Sequence, residues 1–111
     1  EDLLKLGPAL ENHSLFPKRT NVQLAVPTGP KELFILIWER GAGETQASGS
    51  SSCAAASAAV RLGLVKSPVT VKMPGGQLNI KVATDFSLTM KGPVAEVARG
   101  SLSPSFVRSL R

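Results

Sequence analysis

The chain has 111 residues and a formal net charge of +5, a length that predicts a single domain. Hydrophobic residues make up 42% of it and charged residues 19%, which excludes a disordered chain and indicates a globular protein. The single cysteine and single histidine exclude an intrachain disulfide and argue against a metal cluster, and no apolar run reaches the roughly 18 residues of a membrane-spanning helix.

The first predicted element is a short helix over residues 2–12. Asp2 is placed to cap it, and Gly7-Pro8 is a local irregularity within it. The leucines that fall near helical spacing are Leu3, Leu6 and Leu10. Residues 13–18 follow as a connector.

Two strands come next. Residues 20–27 alternate, which predicts a half-buried strand ending in a turn at residues 27–30. The alternation places Val22, Leu24 and Val26 on one face and residues 21, 23 and 25 on the other. Residues 33–38 are apolar throughout, which is typical of a strand covered on both faces.

A loop over residues 40–49 leads into a helix over residues 50–62, and Gly63 suits the position after its end. This helix has alanine on every face, whereas a surface helix shows a polar stripe. We therefore expect it to be buried nearly all round, with small side chains that let neighbouring backbones come close. Cys53 is interpreted as one of its core residues.

The rest of the chain favours strands. Residues 69–72 and 78–82 alternate around a turn at residues 74–76, which predicts a hairpin. Residues 87–91 and 94–99 are predicted to form two further strands separated by Gly92-Pro93, and residues 101–111 a short helix or a frayed tail. The fold class is therefore α+β, with about six strands in a sheet curved around the small-residue helix.

The segment between the second strand and the central helix predicts a pocket for an anion. Backbone N–H groups of the glycine- and hydroxyl-rich loop and of the helix N-terminus point at one spot, where the helix dipole favours negative charge. Glu39 and Arg40 lie at its rim. Two simpler interpretations stay open: Glu39 and Arg40 form an exposed ion pair of little energetic value, and residues 48–52 are only a helix cap.

Residues 38–54 read WERGAGETQASGSSSCA, and this motif closely resembles the C-terminal domain of the diaminopimelate epimerase family. Residues 13–22, 74–76 and 90–93 are similar to further family segments, so the resemblance covers nearly the whole chain. It implies a mixed sheet, curled or closed into a barrel, around a central buried helix. It also implies that residues 1–111 correspond to the C-terminal half of a two-domain enzyme, with the substrate in the cleft between the domains.

The same resemblance implies an activity and partners. The family epimerises LL-diaminopimelate to meso-diaminopimelate in lysine biosynthesis, in the cytoplasm and without a cofactor. The implied partners are a small diamino acid and the missing N-terminal domain, and no nucleic acid, membrane or metal. Because two cysteines act from opposite faces of the α-carbon, one of them in the missing domain, the present chain alone is expected to be inactive.

Site residues follow from the resemblance by matching position. Asn21 is expected to hydrogen-bond the substrate. Glu39 and Arg40 are expected to bind its charged ends, with Glu39 also shaping the catalytic environment. Gly49 and Ser50 are expected to offer backbone N–H groups to the α-carboxylate.

The chain also departs from the family motif. Ser48 occupies the position of the catalytic cysteine, and a serine hydroxyl stays protonated near neutral pH, since a helix dipole worth up to about 2 kcal/mol moves a pKa by only one or two units. Ser51 replaces a glycine and is expected to crowd the loop. Ala98 replaces a tyrosine linked to dimer formation, which puts the usual homodimer in doubt.

Three classes of function remain to be compared. The first is an epimerase of the diaminopimelate epimerase type, and the second is a non-catalytic or divergent relative that keeps the anion pocket. The third is a structural or basic surface-binding protein. Because the thirteen lysine and arginine residues are spread thinly and have no interleaved aromatic residues, nucleic acid is the least favoured partner.

Overall fold

The computed structural model describes residues 2–110, so that Glu1 and Arg111, the last residue of the predicted tail, lie outside the described part. Within that part the chain forms three helices and six strands, with the strands in two runs of three, which confirms the α+β class. Their bounds in chain order are α1 Asp2–Glu11, β1 Val22–Gly29, β2 Glu32–Glu39, β3 Gly43–Thr45, α2 Gly49–Arg61, β4 Val69–Met73, β5 Gly76–Val82, β6 Leu88–Lys91 and α3 Pro104–Ser109.

The strands form one mixed sheet in the order β1-β2-β4-β5-β6, with β3 paired to the end of β2. β2 and β4 are parallel, and the other pairs are antiparallel. The crossover from β2 to β4 contains α2, as a parallel connection requires. The predicted six-stranded mixed sheet is confirmed, although among residues 2–110 it stays open and does not close into a barrel.

The core lies between α2 and one face of the sheet. Three alanines of α2 supply its helical side, and because their side chains are short the helix lies close to the strands. The buried side chains of this core are Leu33, Ile35, Ile37, Ala55, Ala56, Ala59, Val65, Val69, Val71, Met73, Ile80 and Val82. Cys53, which the sequence predicts to be a core residue, is only half-buried and packs against this cluster from its edge.

The expectation that the central helix is buried nearly all round is wrong. Ser50, Ala54, Ala58 and Arg61 are exposed and follow one another along one side, which we call the exposed side of α2. The open sheet covers only the opposite side, so alanine here reaches solvent. A groove of about 310 Å³ runs between this side and β1, and its lining is mostly apolar.

Residues 94–99 do not form the predicted strand. Val94 and Val97 are 96% and 95% exposed, so the alternating pattern has no neighbouring strand to pair with. The sixth strand is instead β3, inside the segment expected to be a loop. The tail forms the short helix α3, capped by the Ser103 side chain.

The predicted helix at the start of the chain is present, but its buried face differs from the expected one. Leu3, Gly7 and Glu11 are buried at intervals of four residues, whereas Leu6 and Leu10 are largely exposed. Gly7, predicted to be a local irregularity, is the point at which the helix contacts the sheet: a Cβ atom there would lie 2.5 Å from the ring of Trp38. The helix therefore packs on the sheet face opposite α2, at its Trp38 end.

β1 contributes to both faces of the sheet. Val22, Leu24 and Val26 pair in register with Trp38, Leu36 and Phe34, so they share the α1 face as the alternation predicts. Because α1 covers only the Trp38 end of that face, Val22 is buried while Val26 is 58% exposed. Gln23 and Ala25 lie on the opposite face, along the α2 groove.

Candidate functional site

Glu39 and Arg40 lie in the tight turn between β2 and β3, which we call the hairpin turn (residues 39–42). The N–H of Ala42 donates to the carbonyl of Glu39 at 3.1 Å, and Gly41 has a φ of 77°. A positive φ at the third position of such a turn requires glycine in practice. The hairpin turn therefore places Glu39, half-buried, and Arg40, exposed, at the end of the sheet.

Asn21 is joined to this turn. Its Oδ1 accepts the backbone N–H of Arg40 at 2.7 Å. Because the carbonyl end of the amide is used, the Nδ2 group is left as the donor end, and it has no hydrogen-bond partner within residues 2–110. The Arg40 guanidinium is held more loosely, with Nη1 donating to the carbonyl of Lys18 at 3.4 Å. Both groups offer donors to an anion.

Helix α2 begins after a three-residue connection from β3, with Ser48 as its N-cap. Ser48 has extended backbone angles, and its Oγ accepts the N–H of Ser51 at 3.2 Å. Its carbonyl accepts the N–H of Ser52. Among the described hydrogen bonds, the backbone N–H groups of Gly49 and Ser50 have no acceptor, as is usual for a first helical turn. These are the groups that the sequence assigns to a carboxylate.

Gln23 ties the two parts of the site together. Its Nε2 donates to Oγ of Ser51 at 3.0 Å, and Ser51 is 1% exposed. Ser51 therefore does not crowd the loop, because its hydroxyl has a partner on β1. Since a strand rises about 3.3 Å per residue, Asn21 lies only about 7 Å along the chain from the residue that contacts α2. No pattern in a single sequence pairs a glutamine with a serine 28 residues later.

A cavity of about 270 Å³ opens at the amino end of α2. Ser48 and Gly49 line it, whereas Asn21, Glu39 and Arg40 do not. The turn between β4 and β5 forms its opposite wall and is fixed there by the N–H of Gly75, which donates to the carbonyl of Gln46 at 2.8 Å. Gln77 also reaches this wall, and the sequence interpretation gave it no role. The predicted site residues thus form two clusters that Gln23 and β3 connect.

Glu11 is a second residue that the sequence interpretation missed. Its carboxylate accepts the indole N–H of Trp38 and the backbone N–H of Gly41, each at 2.8 Å, and Arg19 lies at 3.5 Å. These hydrogen bonds, with the indole first, and the charge of Arg19 lower the pKa of the Glu11 carboxyl against the opposing effect of burial. The carboxylate is therefore held in its charged form beside the hairpin turn.

This lowered pKa predicts how stability depends on pH. A carboxyl with a lower pKa in the folded state stabilises the protein fully above its unfolded pKa of about 4.3, and that contribution is lost as pH falls through the folded pKa. We expect the urea concentration at the unfolding midpoint to decrease as the pH drops below about 4, and to decrease less in Glu11→Gln than in the unmodified protein. Urea unfolding at intervals from pH 7 to pH 3 measures this. Glu32→Gln and Asp85→Asn should each weaken the pH dependence in the same direction, since both pKa values are also lowered. Equal pH slopes for Glu11→Gln and the unmodified protein would contradict the assignment.

Residues 2–110 contain neither a metal-binding cluster nor a membrane-spanning helix. No group of three histidine, cysteine, aspartate or glutamate side chains is arranged to hold a metal ion there. In the same residues, no helix combines the length and apolar character needed to cross a membrane.

Comparison with known proteins gives one consistent result. The family model for diaminopimelate epimerase matches residues 1–97. The chain is 46% identical over 101 residues to the diaminopimelate epimerase of Desulfitobacterium hafniense, 50% identical over 97 residues to diaminopimelate epimerase 2 of Nostoc sp., and 48% identical over 96 residues to the diaminopimelate epimerase of Sphingopyxis alaskensis. These alignments cover 91%, 87% and 86% of this chain but 36%, 34% and 36% of the relatives. The chain therefore spans about a third of the length of these curated relatives.

Proposed function

Because this chain belongs to the diaminopimelate epimerase family, we propose that it is the carboxylate-binding, C-terminal half of a two-domain amino-acid epimerase. Its substrate is diaminopimelate, converted from the LL to the meso form in cytoplasmic lysine biosynthesis without a cofactor. The observation that carries this proposal is the first turn of α2, where Gly49 and Ser50 have unused N–H groups and Gly49 lines a cavity.

The geometry supports a separate role for each residue of the site. The α-carboxylate accepts the N–H groups of Gly49 and Ser50, where the helix dipole stabilises negative charge. Asn21 Nδ2 and the Arg40 guanidinium supply further donors to a carboxylate of the ligand, and Glu39 pairs with an ammonium group. Holding the carboxylate in this way stabilises the charge that develops when the α-proton leaves.

Proton transfer is where this chain differs from the family pattern. Ser48 lies at the amino end of α2, but its hydroxyl is an N-cap acceptor and stays protonated near neutral pH. A complete protein with Ser48 therefore keeps only the acid/base group of its other domain. That group removes a proton and returns it to the same face, so the α-proton exchanges with solvent while the configuration is retained.

The N-cap role of Ser48 favours a second candidate function. If the partner domain also lacks a base, the chain belongs to a relative that binds an amino-acid anion without turnover. Ser48 then serves the fold alone, because a serine cap replaces a catalytic group with a stabilising one.

The exposed side of α2 supports the presence of a further domain. The exposed side of α2 and its groove present alanine and leucine to solvent, and soluble proteins normally cover such apolar surface. We propose that the remainder of the full-length protein packs against this groove and completes the cleft above the cavity.

The test is ligand binding by the complete gene product, measured by isothermal titration. We expect Arg40→Ala to raise the Kd of diaminopimelate at least about tenfold, since a hydrogen bond to a charged group contributes roughly 1.5–3 kcal/mol. Arg108→Ala, which removes an exposed arginine of α3 outside both clusters of the site, is the matched control and should leave the Kd unchanged. Equal affinity for 1,5-diaminopentane, which has no carboxylate, would overturn the proposal.

A further inference from the structure

Glu11 is a buried charged residue to which the proposed reaction gives no role. It is 6% exposed and lies at the last position of α1, and the other buried polar side chains within residues 2–110 are serines. A buried carboxylate is costly unless its charge is fully hydrogen-bonded, so its partners indicate what it does.

The position of Glu11 follows from the packing of α1. Gly7 lies against the ring of Trp38 so closely that no side chain fits between them. Glu11 follows four residues later, one helical turn along the same face. The contact at Gly7 therefore brings the Glu11 carboxylate to the indole N–H at the edge of that ring, where Oε1 accepts at 2.8 Å.

The second oxygen of Glu11 reaches the hairpin turn. Oε2 accepts the backbone N–H of Gly41 at 2.8 Å, while Asn21 Oδ1 accepts the N–H of Arg40 at 2.7 Å. Two consecutive peptide N–H groups are thus held by side chains from the segment that precedes β1. Because these two peptide groups flank the Cα atom of Arg40, the two acceptors fix the direction in which its side chain leaves the turn.

We propose that Glu11 is a positioning residue: by accepting from Trp38 and Gly41 together, it fixes the hairpin turn and so aims Arg40 at the carboxylate of the ligand. This inference rests on the proposed function for its consequence, ligand capture. Its first step, the ordering of the turn, concerns the protein without ligand.

Glu11→Gln is the sharpest substitution, because it keeps the shape of the side chain. A glutamine amide has one carbonyl oxygen, so it serves either Trp38 or Gly41 and turns its NH₂ group toward the other donor. We expect the amide of Gly41 to exchange with solvent at least about tenfold faster, as it does when a protecting hydrogen bond is lost. We expect the Kd of diaminopimelate to rise at least about tenfold under conditions where the variant is folded.

The matched control is Glu32→Gln. Glu32 is also a hydrogen-bonded carboxylate, held by Thr28 and Lys72, and it lies at the opposite end of β2, roughly 23 Å from Glu39 by the rise per residue of a strand. This control makes the same change in charge and should alter neither Gly41 exchange nor the Kd. A core variant of lowered stability, Leu33→Ala, separates loss of positioning from general loss of stability.

Both measurements use the complete gene product, with exchange followed by NMR or mass spectrometry and binding by titration calorimetry. Unchanged Gly41 exchange in Glu11→Gln overturns the proposal, and so does faster exchange with an unchanged Kd. If Glu11→Gln does not fold, Glu11→Asp replaces it, because aspartate keeps the charge but shortens the side chain by one methylene. Gly41 exchange and the Kd of this variant then decide the outcome in the same way. An unmodified protein that binds no diaminopimelate overturns the proposed function and the link to ligand capture, whereas the exchange result still decides whether Glu11 orders the turn.

Discussion

Replacing Ser48 with cysteine is expected to raise epimerisation of diaminopimelate by the complete protein about 10²- to 10⁴-fold, the usual contribution of a positioned acid/base group. Residue 48 is the N-cap of α2, where the helix dipole lowers the pKa of a thiol toward neutrality. A serine hydroxyl at the same position remains protonated. The measurement follows α-deuterium incorporation from D₂O and the change in configuration of the product in the same sample.

The two observables separate the possible outcomes. The unmodified protein should exchange the α-proton with retention, and Ser48→Cys should add inversion. Because cysteine is a weaker N-cap than serine, Ser48→Cys should also lower stability by about 1 kcal/mol while activity rises. Ser57→Cys, later on the same helix and roughly 13 Å away by helical rise, is the control and should change neither observable. Absence of α-proton exchange in both forms would remove the epimerase proposal and leave the binding relative.

The elements that sequence reasoning located are those set by local patterns. β2, α2 and the β4–β5 hairpin begin and end within about two residues of their predicted bounds, because apolar runs, helix caps and turn glycines act over a few positions. Residues 94–99 show what an alternating pattern cannot predict. Alternation states which side chains share a face, but it does not state whether a neighbouring strand exists, and here Val94 and Val97 remain in solvent.

The site shows the same limit at the level of single side chains. The resemblance singled out Asn21, Glu39, Arg40, Ser48 and the first turn of α2, and the structure gathers them into two connected clusters. It did not single out Glu11 or Gln23, because their roles depend on hydrogen bonds to residues more than 25 positions away. For α1, apolar periodicity selected Leu6 and Leu10 as buried residues and did not select Glu11. Periodicity considers apolar side chains alone, so it does not register that the indole N–H of Trp38 needs an acceptor.

Replacing Leu33 with alanine is expected to lower the free energy of unfolding by about 2–5 kcal/mol, a large part of the 5–15 kcal/mol typical of a domain. Leu33 is fully buried in β2, within the core cluster that contains Ala55, Ala56 and Ala59 of α2. Alanine side chains cannot extend to fill the space that a lost leucine leaves, so the cavity should persist and the loss should fall in the upper part of this range.

Leu4→Ala in α1 is the matched control for this substitution. It removes the same atoms from a side chain that is 61% exposed, and helix propensity slightly favours the alanine, so the change should stay within about 0.5 kcal/mol. Urea unfolding with a common m-value measures both. Equal losses at the two positions would show that the interface between β2 and α2 is not the core. Because Leu33 lines the far part of α2 and not the cavity at Ser48, Leu33→Ala should leave the Kd of the folded fraction unchanged.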